Sequence, residues 1–223
     1  MCDGSVTDAS HQINYKEVNK LKLILESNNM KDYLQNTSVI DFNNDNVKQL
    51  AEKLKEGTKS KLELSKKVYE YVRDNILHSF DINGSVVTCK ASEVLQEKQG
   101  ICFAKAHLLA ALLRYLDIPT GFCYQKLILD DKIKPYLILH GLNAVYIEEL
   151  KRWIRIDSRG NKKGVNAQFS VKGEKLAFPV RSELGEVDIP IIFVKPDNNV
   201  INALNSYSTA KELFDNLPKE LGK

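Results

Sequence analysis

The stretch GICFAKAHLLAALLRYLDIPTGF, residues 100–122, sets an apolar segment between a glycine and a proline. Cys102, Ala106, Leu109, Ala110 and Leu113 recur at helical spacing and share one face. Residues 102–116 therefore read as a central, buried helix, closed off by Pro119. Its first residue is a cysteine, and that position has two readings. Free cysteine is among the most buried residue types, so Cys102 alone reads as core. A helix start also offers unpaired backbone N–H groups and the positive end of the helix dipole, which favour a thiolate and a developing oxyanion. Gly100 would let the chain turn sharply and let a substrate approach.

The flanking sequence supplies the rest of the fold. Upstream, residues 16–28, 46–55 and 61–76 carry apolar residues at helical spacing, and Val47, Leu50, Ala51 and Leu54 form one face. Residues 90–97 read as a short helix with Ser92 as a cap. Downstream the pattern turns aromatic and β-branched over residues 121–129, 136–147 and 152–157, which read as strands. SRGNKKG, residues 158–164, is a loop. Residues 188–195 read as a further strand, at an edge because of Pro190. Residues 208–217 read as a C-terminal helix. Helices followed by a mostly antiparallel sheet give an α+β fold. Three units are expected: an N-terminal helical extension over 1–58, a core over 59–200 and a C-terminal helix within 201–223.

Composition narrows the class. With 223 residues, 43% hydrophobic and 27% charged, the chain has the makeup of a globular domain with a full core. A net charge of +3, with scattered lysines and arginines, gives no footprint for nucleic acid or a membrane surface. No apolar run approaches a membrane span, and MCDGSVTDASHQ lacks the basic and apolar regions of a signal peptide. A cytoplasmic location is expected. Cys2, Cys89, Cys102 and Cys123 are then thiols rather than disulfide partners. Their spacing fits no zinc module, which sets aside a site built from Cys89, Cys102, His107 and Cys123.

Two residues downstream bear on Cys102. His140 lies inside 136–147 and Asp157 ends 152–157. A hairpin turning between Glu148 and Glu149 would set them directly opposite each other, about 5 Å apart between Cβ atoms. A carboxylate there accepts a hydrogen bond from one ring nitrogen and leaves the other free as a base. A slip of one residue would turn Asp157 to the other face. His107, five residues after Cys102, points away from it on a helix and reads as structural. His78 reads as exposed in a loop, His11 lies in a tail, and Asn143 faces opposite His140. Trp153 reads as a core or cleft-wall residue, and Cys89 and Cys123 as buried.

The segment 100–122, with HGLNAVYI at 140–147 and RWIRIDSRGN at 152–161, resembles the transglutaminase-like (transglutaminase/protease-like, papain-fold) superfamily over roughly residues 60–165. The order Cys, His, Asp matches, with spacings of 38 and 17 residues. The resemblance implies Cys102 as nucleophile, His140 as general base and acid, and Asp157 as the residue orienting His140. It implies a papain-like core with a central helix packed on an antiparallel sheet. It implies a thioester route to amide or peptide hydrolysis, or to transfer onto an amine, on a peptide or protein substrate with no cofactor. Peptidase or amidase chemistry is the favoured outcome. Two details depart from the pattern: His140-Gly141-Leu142 replaces His-Ala-Trp, and Asp117-Ile118-Pro119 replaces Gly-Ile-Pro. Papain-like thiol enzymes place an oxyanion-hole glutamine six residues before the nucleophile. Gln96 has that spacing, but its segment reads as a charged helix. The alternative function is a non-catalytic binding module that keeps the fold.

Overall fold

The computed structural model describes residues 21–222. Cys2, His11 and the first part of the helix expected over 16–28 lie outside them. Helices α1 (Asp45–Lys55), α2 (Lys61–Asn75) and α3 (Ala91–Glu97) surround α4 (Cys102–Tyr115). They follow the apolar periodicity, and side chains set their starts. Asn44 and Ser60 accept the N–H groups of Asn46 and Glu63. The third helix starts one residue after Lys90. Ser92 does not cap it: its N–H and hydroxyl both donate to the Asp41 carboxylate.

The central helix is buried on every side from Phe103 to Arg114, not along one face only. The first three helices pack on one side and the sheet on the other, as expected of a helix this apolar. α1 and α2, on either side of residue 58, bury Val47, Ala51, Leu64 and Val68 in the same core as Leu108 and Leu112. Three polar residues of α4 are buried too, and each finds backbone acceptors. Lys105 Nζ donates to the carbonyls of Arg73 and Ile76 at the end of α2. The Arg114 guanidinium donates to the carbonyls of Thr120, Gln35 and Val194. His107 Nδ1 pairs with the Cys89 carbonyl at 2.8 Å.

The main sheet is antiparallel. It contains β4 (Thr120–Asp130), β5 (Lys134–Ile147), β6 (Arg152–Ile156) and β7 (Val187–Asp188), in the order β6-β5-β4-β7. Two short parallel pairs complete the strands: β1 (Ile24–Leu25) with β8 (Ile191–Ile192), and β2 (Leu77–His78) with β3 (Gln99–Gly100). The expected strand over 188–195 is thus split around Pro190, which has no N–H for a ladder. Within the described residues the helix expected over 16–28 is absent. Ile24 and Leu25 extend to pair with Ile191 and Ile192, and their tertiary partner outweighs local propensity. The C-terminal region holds two helices, α5 (Asn198–Ser206), which composition did not reveal, and α6 (Ala210–Asp215), capped by Thr209.

The β5–β6 register differs from the expected one. The two strands are joined by Glu148–Lys151, a 3-10 turn closed by Lys151 in the left-handed region. The expected turn had no intervening residues. Ile147 pairs with Arg152 and Asn143 with Ile156, so the ladder extends to bring Asp157 level with Leu142 instead of His140. The difference is two residues. Side chains alternate with a period of two, so both still point to the same face of the sheet.

Candidate active site

Cys102 is the first residue of α4 and is half-buried. The residue before it, Ile101, has no acceptor side chain. By contrast α1, α2, α5 and α6 have their first N–H groups bound by Asn44, Ser60, Asp197 and Thr209. The start of α4 therefore keeps its backbone donors for another acceptor. Gly100 does not make a sharp turn, for it lies in β3. A Cβ there would lie 3.0 Å from both Ala104 Cβ and Thr88 Oγ1, so a side chain at this position would crowd the foot of α4.

His140 sits on β5 just beyond the last residue pair with β6. Its Nε2 donates to Asp157 Oδ2 at 2.8 Å. An ionised carboxylate only accepts, so Nδ1 is the nitrogen left for the Cys102 thiol, whose charge and hydrogen bond also bear on the ring. Burial by itself would push the imidazole down. The Asp157 carboxylate, then Cys102, outweigh burial and raise it to about 10. Phe178 meets the ring edge-on, with centroids 5.2 Å apart.

Asp157 is fully buried. Burial would raise its carboxyl, but His140 and the backbone N–H groups of Arg159 (3.0 Å) and Ala177 (3.1 Å) hold it below the usual range. Tyr69 donates its hydroxyl to the Asp157 carbonyl at 3.0 Å, which ties the strand end to α2. Two backbone N–H groups thus fix the carboxylate, and Tyr69 the backbone that carries it, before it reaches His140.

Gly141 explains how a helix start can lie so close to this strand. A Cβ at Gly141 would come 2.5 Å from Phe103 Cδ1. The residue after Cys102 packs directly on the backbone after His140.

The core profile of the transglutaminase-like superfamily matches residues 48–158, which span the whole arrangement from α1 to Asp157. The chain is a transglutaminase-like protein. Members of this superfamily are often cysteine-dependent acyltransferases or proteases. Solved structures similar to it include a candidate cysteine protease from Cytophaga hutchinsonii, with 21% identity, TM-score 0.48 and coverage of 60% of this chain and 43% of that one. A TGase has 18% identity, TM-score 0.41 and coverage of 58% and 35%. A candidate protease from Parabacteroides distasonis has 11% identity, TM-score 0.38 and coverage of 75% and 30%. The chain spans less than half the length of each. No curated protein matches it.

Other residues of this transglutaminase-like core fall outside the group. Gln96 is exposed on α3 and donates to Glu97, so it takes no part at the start of α4. Asn143 faces α4 and donates to the carbonyls of Ala106 and Gly121. Trp153 stacks edge-on with Tyr33 and Tyr146 away from Cys102. Cys89 and Cys123 are buried, and burial pushes their thiols up to about 11 and about 12. No cluster of three or more His, Cys, Asp or Glu side chains suited to a metal occurs among the described residues. None of their helices is long and apolar enough to cross a membrane.

His78 is a correction. It is buried, not exposed, because β2 pairs with β3 directly before Cys102 and sets His78 level with Gly100. Burial, then Arg159, pulls it well below the usual imidazole range. Sequence reasoning also missed Ala177 and Phe178, which arrive from an irregular segment twenty or more residues beyond Asp157 and carry no periodic signal. Gln125 was accessible to it: pairing the two long strands puts Gln125 opposite His140, where it is buried.

A cavity of about 480 Å³ opens beside His140, over the sheet face that carries Leu127 and Ile138. Phe178 and Pro179 line it as well.

Proposed function

We propose that this chain is a thiol-dependent acyl-transfer enzyme acting on an amide of a peptide or protein. The observation that carries the reading is the alignment of a half-exposed Cys102, at an uncapped helix start, with a buried His140 that Asp157 orients at 2.8 Å. Cys102 is the nucleophile, His140 the general base and acid, and Asp157 the orienting carboxylate.

The Cys102 sulfur, as thiolate, adds to the amide carbonyl carbon, and the carbonyl electron pair moves to oxygen. Backbone N–H groups at the start of α4 stabilise that oxyanion. When the oxyanion collapses, the C–N bond breaks and His140 gives its Nδ1 proton to the departing amine. A thioester on Cys102 remains. Water, or an amine, then attacks the thioester carbonyl and loses a proton to Nδ1. Collapse returns the thiolate and releases an acid or a new amide. All proton transfers fall to residues of the chain, so the scheme calls for no cofactor. The raised imidazole suits the role, because it holds the proton that the departing amine needs.

The test is the rate of iodoacetamide labelling at Cys102 against pH, read by peptide mass, in the native chain and in His140→Ala. The expected result is fast labelling at pH 6, where an ordinary cysteine with pKa about 8.5 is nearly all thiol, and its loss in the variant. If both proteins react only as that ordinary thiol does, the enzyme reading fails and the binding-module reading takes its place.

A further inference from the structure

We propose that a second cavity, between the end of α2, His78 and residues 160–162, is a binding site for one small oxyanion, a carboxylate or a tetrahedral anion of sulfate size. It shares no lining residue with the cavity beside His140, and the proposal does not rest on the acyl-transfer reading. The cavity holds about 230 Å³, and Arg73, Asp74, His78, Asp81, Lys105 and Lys162 are among the residues that line it. A water molecule takes about 30 Å³ of liquid volume. The space therefore suits an anion of a few heavy atoms together with some water.

The charges around this cavity are unequal. Arg73 forks onto Asp74 at 2.7 and 2.8 Å. Asp81 accepts from Lys162 at 2.6 Å and from the Arg159 guanidinium at 2.8 Å. Both carboxylates are thus committed, and Lys105 is left over. It is fully buried, and among the described residues its Nζ donates only to the backbone carbonyls of Arg73 and Ile76. An ammonium has three donors, so one is uncommitted. Gly160 lies over it with φ +106°, and a Cβ there would come 3.3 Å from Nζ. Glycine keeps that side of the ammonium clear of a side chain. An uncompensated charge behind a low-dielectric wall draws an anion into the cavity even without touching it.

His78 points independently to the same occupant. It lines the cavity, is only 8% exposed, and its Nδ1 has no hydrogen-bond partner among the described residues. A buried polar atom left in that state costs stability. Burial first, and Arg159 second, hold His78 well below the usual imidazole range and Lys105 down to about 7. An anion in the cavity would offset the positive charge that acts on both. A cation would add to it, and an apolar occupant would deepen the burial.

The experiment is equilibrium dialysis of the full chain against radiolabelled sulfate at pH 6, with chloride held constant. Uptake should saturate at about one sulfate per chain. Lys105→Met keeps the length of the side chain and removes its charge, and it should weaken binding by about tenfold or more. Lys162→Gln, at an exposed position, repeats the test should the first variant fail to fold, with a loss of about threefold. No saturable uptake, or equal uptake by the native chain and a folded variant, overturns the site. Displacement of the labelled sulfate then reads the source of the oxyanion, using acetate, N-acetyl-dialanine with its carboxylate, and the amide of that peptide. A peptide acid that displaces sulfate at lower concentration than acetate assigns the site to a peptide carboxylate. Acetate that displaces it equally well or better assigns the site to a free ion. Displacement by the amide as strong as by the acid shows that charge is not what the cavity recognises, and overturns the proposal.

Discussion

Two places along α4 bring a buried histidine to a cysteine, and they behave in opposite ways. At the helix start His140 lies beside Cys102, with the Asp157 carboxylate behind it. One turn further on, His107 pairs with the backbone of Cys89. Both imidazoles are buried. Burial pulls His107 down to about 4, and the carbonyl of Cys89 is too weak a partner to reverse it. Asp157 and Cys102 raise His140 to about 10. The Cys89 thiol, which is also buried, is pushed up to about 11. Closeness to a cysteine does not by itself decide which way a buried imidazole shifts. A buried carboxylate behind the ring is what distinguishes the two.

The most direct way to break this contrast is to remove the sulfur at each place. Cys102→Ala should abolish thioester formation altogether, while Cys89→Ala should leave Cys102 labelling in place and cost about 1 kcal/mol of stability. Intact mass after exposure to an acylating substrate and urea titration read the two effects. Adduct formation that survives in Cys102→Ala would move the reactive thiol elsewhere.

The next largest effect should come from making His140 resemble His107. Asp157→Asn takes away the charge that holds the imidazolium. Acyl transfer should fall by about 10²–10⁴-fold, and Cys102 labelling at pH 6 should fall with it. A variant whose labelling profile matches the native one would show that Asp157 has only a structural part.

The two histidines also make opposite contributions to stability against pH. The folded-state value of His107 lies below the unfolded value of about 6.5. Its contribution is therefore complete above pH 6.5 and is lost as pH falls from there toward 4. His140 lies above its unfolded value, so its contribution is complete below pH 6.5 and is lost as pH rises through about 10. His107→Gln should reduce the stability lost between pH 7 and pH 4 by about 2–3 kcal/mol, measured by urea titration at both values. An unchanged loss would mean that His107 is not held neutral in the fold.

The smallest effect expected is at Gly141. Gly141→Ala forces a methyl against Phe103 and should cost about 1–3 kcal/mol. It should also slow Cys102 labelling by displacing the first turn of α4 from His140. Thermal unfolding and labelling of the same variant test both; loss of stability with normal labelling would separate packing from alignment.

Residues 100–122 and the strands that follow made much of this fold legible, because the central helix and the three long strands obey periods of 3.6 and 2 that local sequence records. Cys102, His140 and Asp157 could be singled out for the same reason: each sits at a definable point of such an element, a helix start, a strand interior and a strand end. Tertiary structure decided what periodicity does not encode. Glu148–Lys151 chose a longer turn and moved the register by two residues, and Ile24–Leu25 became a strand because Ile191–Ile192 lay ready to pair. The burial of His78, the backbone donors of Arg159 and Ala177 and the wall formed by Phe178 come from segments brought together only when the chain closes. Sequence fixes what each residue can donate, accept or titrate. Which groups are buried together, and so which way His107 and His140 shift, depends on contacts between residues far apart in the chain.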